Sequence, residues 1–156
     1  MLKESIELAQ LLSTLCLEQY TKTYYQVVEK IYTCLKDRNM LYIYVSPKRR
    51  GIAQDFQTKL YNAQKNVKLP YLISVCEFPT QITQHAQTED IILFLDENKE
   101  VIDFAKENNV YTMNMSEHSL KANIEYNIPS VNFDRVSEAQ YTLLNSISDN
   151  CIKFLS

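Results

Sequence analysis

Apolar and polar positions along this chain change their spacing several times, and each change marks an element. Through residues 3–36 the apolar positions recur every three to four residues, as on a helix face. Ile6, Leu8, Leu11, Leu12, Leu15 and Leu17 make one stripe. Tyr20, Tyr24, Val27, Val28, Ile31, Tyr32 and Leu35 make a second. Thr21-Lys22-Thr23 offers a break with an N-cap, so the spacing predicts two helices here. The period then vanishes. Leu41-Tyr42-Ile43-Tyr44-Val45 is apolar at every position and rich in β-formers, as expected of a strand buried on both faces of a parallel sheet.

After Pro47 a helical run follows at 52–61, then a strand at 70–75 and a loop or short helix at 79–85. A second two-sided strand is predicted at 91–95. A helix at 99–108 should turn Val101, Ile102 and Ala105 inward. A fourth strand is predicted at 110–113 and a short fifth at 124–129. The chain ends in a long amphipathic helix starting at Asp134 or Arg135, with Asn132 or Asp134 as cap. Its stripe is Val136, Ala139, Leu143, Ile147, Cys151 and Phe154. Strands alternating with helices imply a parallel sheet covered on both sides. The length and right-handed crossovers favour a flavodoxin-like α/β/α sandwich, with five parallel strands between long N-terminal helices and a C-terminal helix. The expected organisation is a single domain over 1–156, with helices at 1–36, sheet and crossovers at 40–129 and the last helix at 133–155. Ligands in such sheets sit beyond the carboxyl ends of the strands. That singles out Ser46–Gly51 after the first strand and Asp96–Glu100 after the third.

Composition narrows the function classes. A net charge of −3, no tryptophan and no aromatic–basic interleaving argue against nucleic-acid binding. No apolar run approaches 18 residues, and Met1-Leu2-Lys3-Glu4-Ser5 does not open like a signal peptide. A cytoplasmic protein with no membrane contact is expected. Cys16, Cys34, Cys76 and Cys151 lack C-x-x-C spacing and read as buried free thiols rather than disulfides or a metal site. His85 and His118 lie in polar stretches without neighbouring ligands and read as structural or surface residues, so no metal or cofactor is expected. Asp96-Glu97 and Glu89-Asp90 are paired carboxylates that loop polarity and helix N-terminal charge account for.

The most informative count is glycine. There is one, Gly51, where average usage of about 7% would give roughly eleven. Glycine lets a loop wrap a phosphate with its N–H groups inward. This chain can build almost no such loop. At the ligand position it carries Ser46-Pro47-Lys48-Arg49-Arg50 instead. Two readings stand: a replacement anion site of arginine forks and helix dipole, which Lys59 could join, or a solvated basic turn with Lys59 on the surface.

Met40–Leu60, anchored on Phe56 and Leu60, Glu89-Asp90-Ile91-Ile92-Leu93 followed by Glu100-Val101-Ile102, and the terminal Asp134-Arg135-Val136-Ser137-Glu138-Ala139-Gln140 together carry a resemblance. In order and spacing they resemble the SIS (sugar isomerase) domain, in the branch of phosphoheptose isomerase and the DnaA initiator-associating protein. The resemblance runs from about residue 5 to 155. The family's first loop, G-N-G-G-S, corresponds to Val45-Ser46-Pro47-Lys48-Arg49, where the glycines are gone and Pro47 removes a donor. Its second loop, S-T-S-G-N-S, corresponds to Asp96-Glu97-Asn98-Lys99, about three residues shorter and acidic. The family's catalytic glutamate falls at Lys59 and its catalytic histidine at Asn145. Gln140 stands for a neighbouring histidine and Ser137 for a glutamine; Asp55 marks a further altered position, while Asp134 and Glu138 persist.

The resemblance therefore implies a degenerate, non-catalytic member that does not isomerise sedoheptulose 7-phosphate. It implies an oligomeric regulatory or scaffold protein, a dimer or tetramer joined through the N-terminal helices, whose partner is a replication initiator or an intact SIS paralogue. The tyrosines Tyr20, Tyr24, Tyr25 and Tyr32 suit either core packing or such a contact. The alternative is a phosphosugar binder, or an isomerase with chemistry rearranged around Lys48, Arg49, Arg50 and Lys59.

Overall fold

The computed structural model describes residues 18–63, 72–126 and 136–155. The expected first helix, the 132–134 cap, Cys16 and the end of the fifth strand lie outside them. Helix α1 spans Glu18–Lys36, followed by β1 (Leu41–Tyr44), a 3-10 turn (Pro47–Arg49) and α2 (Arg50–Ala63). Then come β2 (Ile73–Cys76), α3 (Thr80–Thr83), β3 (Ile91–Phe94), α4 (Lys99–Glu107), β4 (Tyr111–Asn114), β5 (Ile124–Glu125) and α5 (Val136–Leu155).

The five strands form one parallel sheet in the order β2-β1-β3-β4-β5. That is the flavodoxin-like order the alternating pattern predicts. Residue Leu41 pairs with Ile73 on one side and Ile91 on the other, and Ile91 with Tyr111, so the starts of four strands are level.

Period 2 in fully apolar strands divides their side chains between two cores. Leu41, Ile43 and Val45 join Ile91, Leu93 and Leu95 in a core with Val27, Ile31 and Leu35 of α1, Phe56 and Leu60 of α2, and Ala139, Leu143, Ile147 and Cys151 of α5. Tyr42, Ile92 and Phe94 point the opposite way, onto Ile82 of α3 and Val101, Ile102 and Ala105 of α4. The result is the three-layer sandwich, with α1, α2 and α5 on one face.

Two details differ from the sequence expectation. Thr21-Lys22-Thr23 does not break the helix but lies inside continuous α1. A threonine costs a helix interior only some tenths of a kcal/mol, while burying Val27, Val28 and Ile31 on the far side of the break position stabilises the continuous rod by much more. Helix α2 also starts two residues early, at Arg50, so Gly51 lies in its first turn and not in the loop before it. No glycine has positive φ, and a Cβ added at Gly51 would meet nothing within 4 Å.

Among the tyrosines, Tyr24 is occupied within the chain: its hydroxyl lies 2.8 Å from Ser146 Oγ and accepts from Asn150 Nδ2, tying α1 to α5. Tyr25 faces outward. Cys34, Cys76 and Cys151 are buried free thiols. Among the described residues no helix is long and apolar enough to cross a membrane, and no cluster of His, Cys, Asp or Glu could hold a metal ion.

Candidate active-site crevice

In a doubly wound sheet the strand order reverses between β1 and β3, and the two chains leaving those strands diverge to open a crevice. Here that crevice has a volume of about 510 Å³ and is lined by Tyr44, Ser46, Lys48, Arg49, Asp96, Glu97, Ser116, Glu117 and His118. Both segments singled out in the sequence contribute. The third wall, the loop after β4, was not anticipated.

Arg49 is the centre of this site. It lies in the 3-10 turn, and its side chain is turned inward and buried. Its Nη1 donates to Asp96 Oδ1 at 2.5 Å and to the Leu95 carbonyl at 3.1 Å. Its Nε donates to Ser137 Oγ at 3.1 Å, and Nη2 reaches Glu117 Oε1 at 3.4 Å. One guanidinium thus joins the loops after β1, β3 and β4 to helix α5. The other oxygen of Asp96 accepts the Ser46 amide at 2.7 Å.

Two further backbone donors of the turn are committed. Pro47 has none. The Arg49 amide donates to the Ser46 carbonyl and the Arg50 amide to the Pro47 carbonyl.

Gln140 lies beneath, fully buried, its Nε2 donating to the carbonyls of Leu95 (2.8 Å) and Met115 (2.9 Å). These bonds fix the amide and leave Oε1 without a hydrogen-bond partner among the described residues.

The β4 loop is shaped by a buried hub. Asn114 Nδ2 donates to the His118 carbonyl and to Glu125 Oε1, while its Oδ1 accepts the Ser116 amide and hydroxyl. Asn114 caps the end of β4 with both amide atoms used, and Ser116 Oγ donates to the same His118 carbonyl, so the loop carries Glu117 and His118 to the rim. His118 is well exposed, 3.7 Å from Glu97.

The other predicted residues are dispersed. Arg50 turns away to Glu77 at 3.3 Å. Lys59, farther along α2, donates to Asn145 Oδ1 at 2.7 Å and pairs with Asp149 at 2.5 Å. Asp55 and Asn145 share a shallow groove between α2 and α5 with Tyr141. Ser46, Lys48 and Arg49 therefore share the crevice; Arg50 and Lys59 do not line it. Of the carboxylate pairs, Asp90 accepts the amides of Met40 and Gln87, a loop-closing role.

This sheet and its covering helices make an α/β/α fold shared with solved phosphoheptose isomerases. The solved structure of phosphoheptose isomerase from Neisseria gonorrhoeae superposes with a TM-score of 0.71 at 14% identity, over 98% of this chain and 95% of that one. The phosphoheptose isomerase from Francisella tularensis gives 0.72 at 14% identity, over 97% and 94%. No family sequence model matches the chain, and no curated protein matches it in sequence.

Proposed function

We propose that this chain is a non-catalytic protein of SIS fold that works by assembly, as a regulatory or scaffold subunit, rather than by turning over a sugar phosphate. The observation that carries this reading is the state of Arg49. Two donors an incoming phosphate would use, the Arg49 guanidinium and the Ser46 amide, are already held together by the protein's own Asp96 carboxylate. A phosphate would have to displace a preorganised internal carboxylate and face Glu97 and Glu117 as well.

The positions that resemble the isomerase acid–base pair support the same reading. Proton transfer to and from a sugar needs groups that titrate near neutral pH. Lys59 and Asn145 instead bond to each other, with Asp149 closing the cluster. An amide does not titrate, and an ammonium held against a carboxylate is an ion-pair partner. The candidates for assembly are a second copy, an intact SIS paralogue or a replication initiator. Tyr25 on α1 gives that helix an outward aromatic anchor of the kind interfaces favour.

The test is direct. Purified protein incubated with sedoheptulose 7-phosphate should show no isomer formation and no rise in Tm. Gel filtration should give a mass above one subunit, or a shift on adding the initiator or paralogue. Enzyme-like turnover, or a Tm rise abolished by Lys48→Glu, would overturn the reading in favour of the phosphosugar site.

A further inference from the structure

A second cavity, of about 440 Å³, lies at the opposite end of the sheet. It is bounded by the end of α4, the start of β4, the turn before β3 and the segment leading into β5. Its chemistry is the reverse of the crevice. Where three carboxylates line the crevice, no carboxylate lines this cavity among the described residues, and two lysines do, Lys106 and Lys121. In a chain of net charge −3, such a concave surface concentrates positive potential.

The backbone supports the arrangement. Among the described residues three non-glycine residues have positive φ, and two of them, Asn109 (55°) and Lys121 (54°), line this cavity. At Asn109 a helix end accounts for it. At Lys121 the cause is the turn itself, where the Lys121 amide donates to Ser119 Oγ and the Leu120 and Ala122 amides donate to Glu125 Oε2. The neighbouring carboxylates are turned elsewhere. Asp90 accepts two backbone amides, and Glu125 accepts the Ala122 amide and Asn114 Nδ2. Glu89 and Glu107 do not line the cavity.

Neutral donors complete it. Asn123 Oδ1 accepts both the Thr112 amide and hydroxyl, which fixes the side chain and leaves its NH2 as a donor. The C-terminal end of α4, whose dipole opposes an anion, has two of its carbonyls occupied. Phe104 O accepts the amide and the side chain of Asn108, and Ala105 O accepts the Val110 amide. Lys106 Nζ reaches across to the Leu120 carbonyl at 3.3 Å, bracing the loop that carries Lys121.

We propose that this cavity, with Lys106 and Lys121 as its charged groups and Asn109, Asn123 and Thr88 as neutral partners, binds a small phosphorylated molecule. Its volume is in the range of small-ligand sites. The proposal is independent of the reading of the crevice, and failure of either leaves the other standing.

Calorimetric titration with pyrophosphate should give saturable binding. Lys121→Glu should weaken it by at least about tenfold, since one attractive charge becomes a repulsive one. Lys106→Glu should do the same, whereas Lys99→Glu, on the exposed face of α4, should leave it unchanged. Amide shifts in an NMR titration of the unaltered protein should cluster in 105–112 and 121–123, a readout that needs no variant to fold. Absence of saturable binding, equal affinity in all three variants, shifts clustered elsewhere, or binding of citrate but not pyrophosphate would each overturn it.

Discussion

At the scale of single residues, the rarity of glycine carried more information than any motif, and the structure shows both its reach and its limit. The absence of glycine from 46–50 leaves no flexible amide cradle, and the amides of Ser46, Arg49 and Arg50 bond within the chain. The one glycine that remains is not needed where it stands. Gly51 has no positive φ and open space where a Cβ would go. Gly51→Ala should therefore stabilise the protein by about 0.5–1 kcal/mol, through helix propensity and a less flexible unfolded chain. Chemical denaturation would show it as a higher midpoint at constant slope. What sequence could not supply was the partner of each charge. Lys48-Arg49-Arg50 reads as three equivalent cations, yet Arg49 is buried among four acceptors while Arg50 is exposed beside one carboxylate. Which of three adjacent side chains turns inward depends on the phase of the 3-10 turn, and no local composition encodes that phase.

At the scale of elements, the strands were the most legible part. A five-residue run with every position apolar has no solvent face, so it must lie between two layers, and the division of Leu41–Val45 between two cores follows. The helix start and the supposed break at 21–23 were less legible, because weak local preferences yield to packing. The third wall of the crevice escaped notice because its organiser, Asn114, acts through a hub of side-chain to backbone bonds spanning the 114–125 segment. Its one sequence signal was a polar residue ending an apolar strand. Arg49 does for whole elements what Asn114 does for one loop. Removing it strands acceptors from two loops and α5 together, so Arg49→Ala should cost about 3 kcal/mol, a Tm decrease on the order of 10 °C. Arg50→Ala, at an exposed pair, should change Tm by no more than a degree or two. Equal effects from the two would show that the buried network contributes little.

At the scale of the whole molecule, the two cores hold their thiols out of reach of water. Burial pushes the Cys34 and Cys151 thiols up to about 12, and for Cys34 the nearby Asp90 and Asp37 carboxylates add to it. Both should resist alkylation at pH 8 while the protein is folded and react at once in denaturant. The unfolded chain releases these protons near 9 and the folded one near 12. Their contribution to stability is thus complete below pH 9 and is lost as pH rises from 9 to 12. A denaturation midpoint that stayed level across that window would contradict the burial described.

The self-contained Arg49–Asp96 clasp has one more consequence. A protein whose binding loop is propped open by its ligand gains stability through mass action, and loses it when the ligand runs short. Here the prop is a side chain of the same polypeptide, present at a fixed ratio of one to one. The shape of the crevice is thereby held by the chain itself.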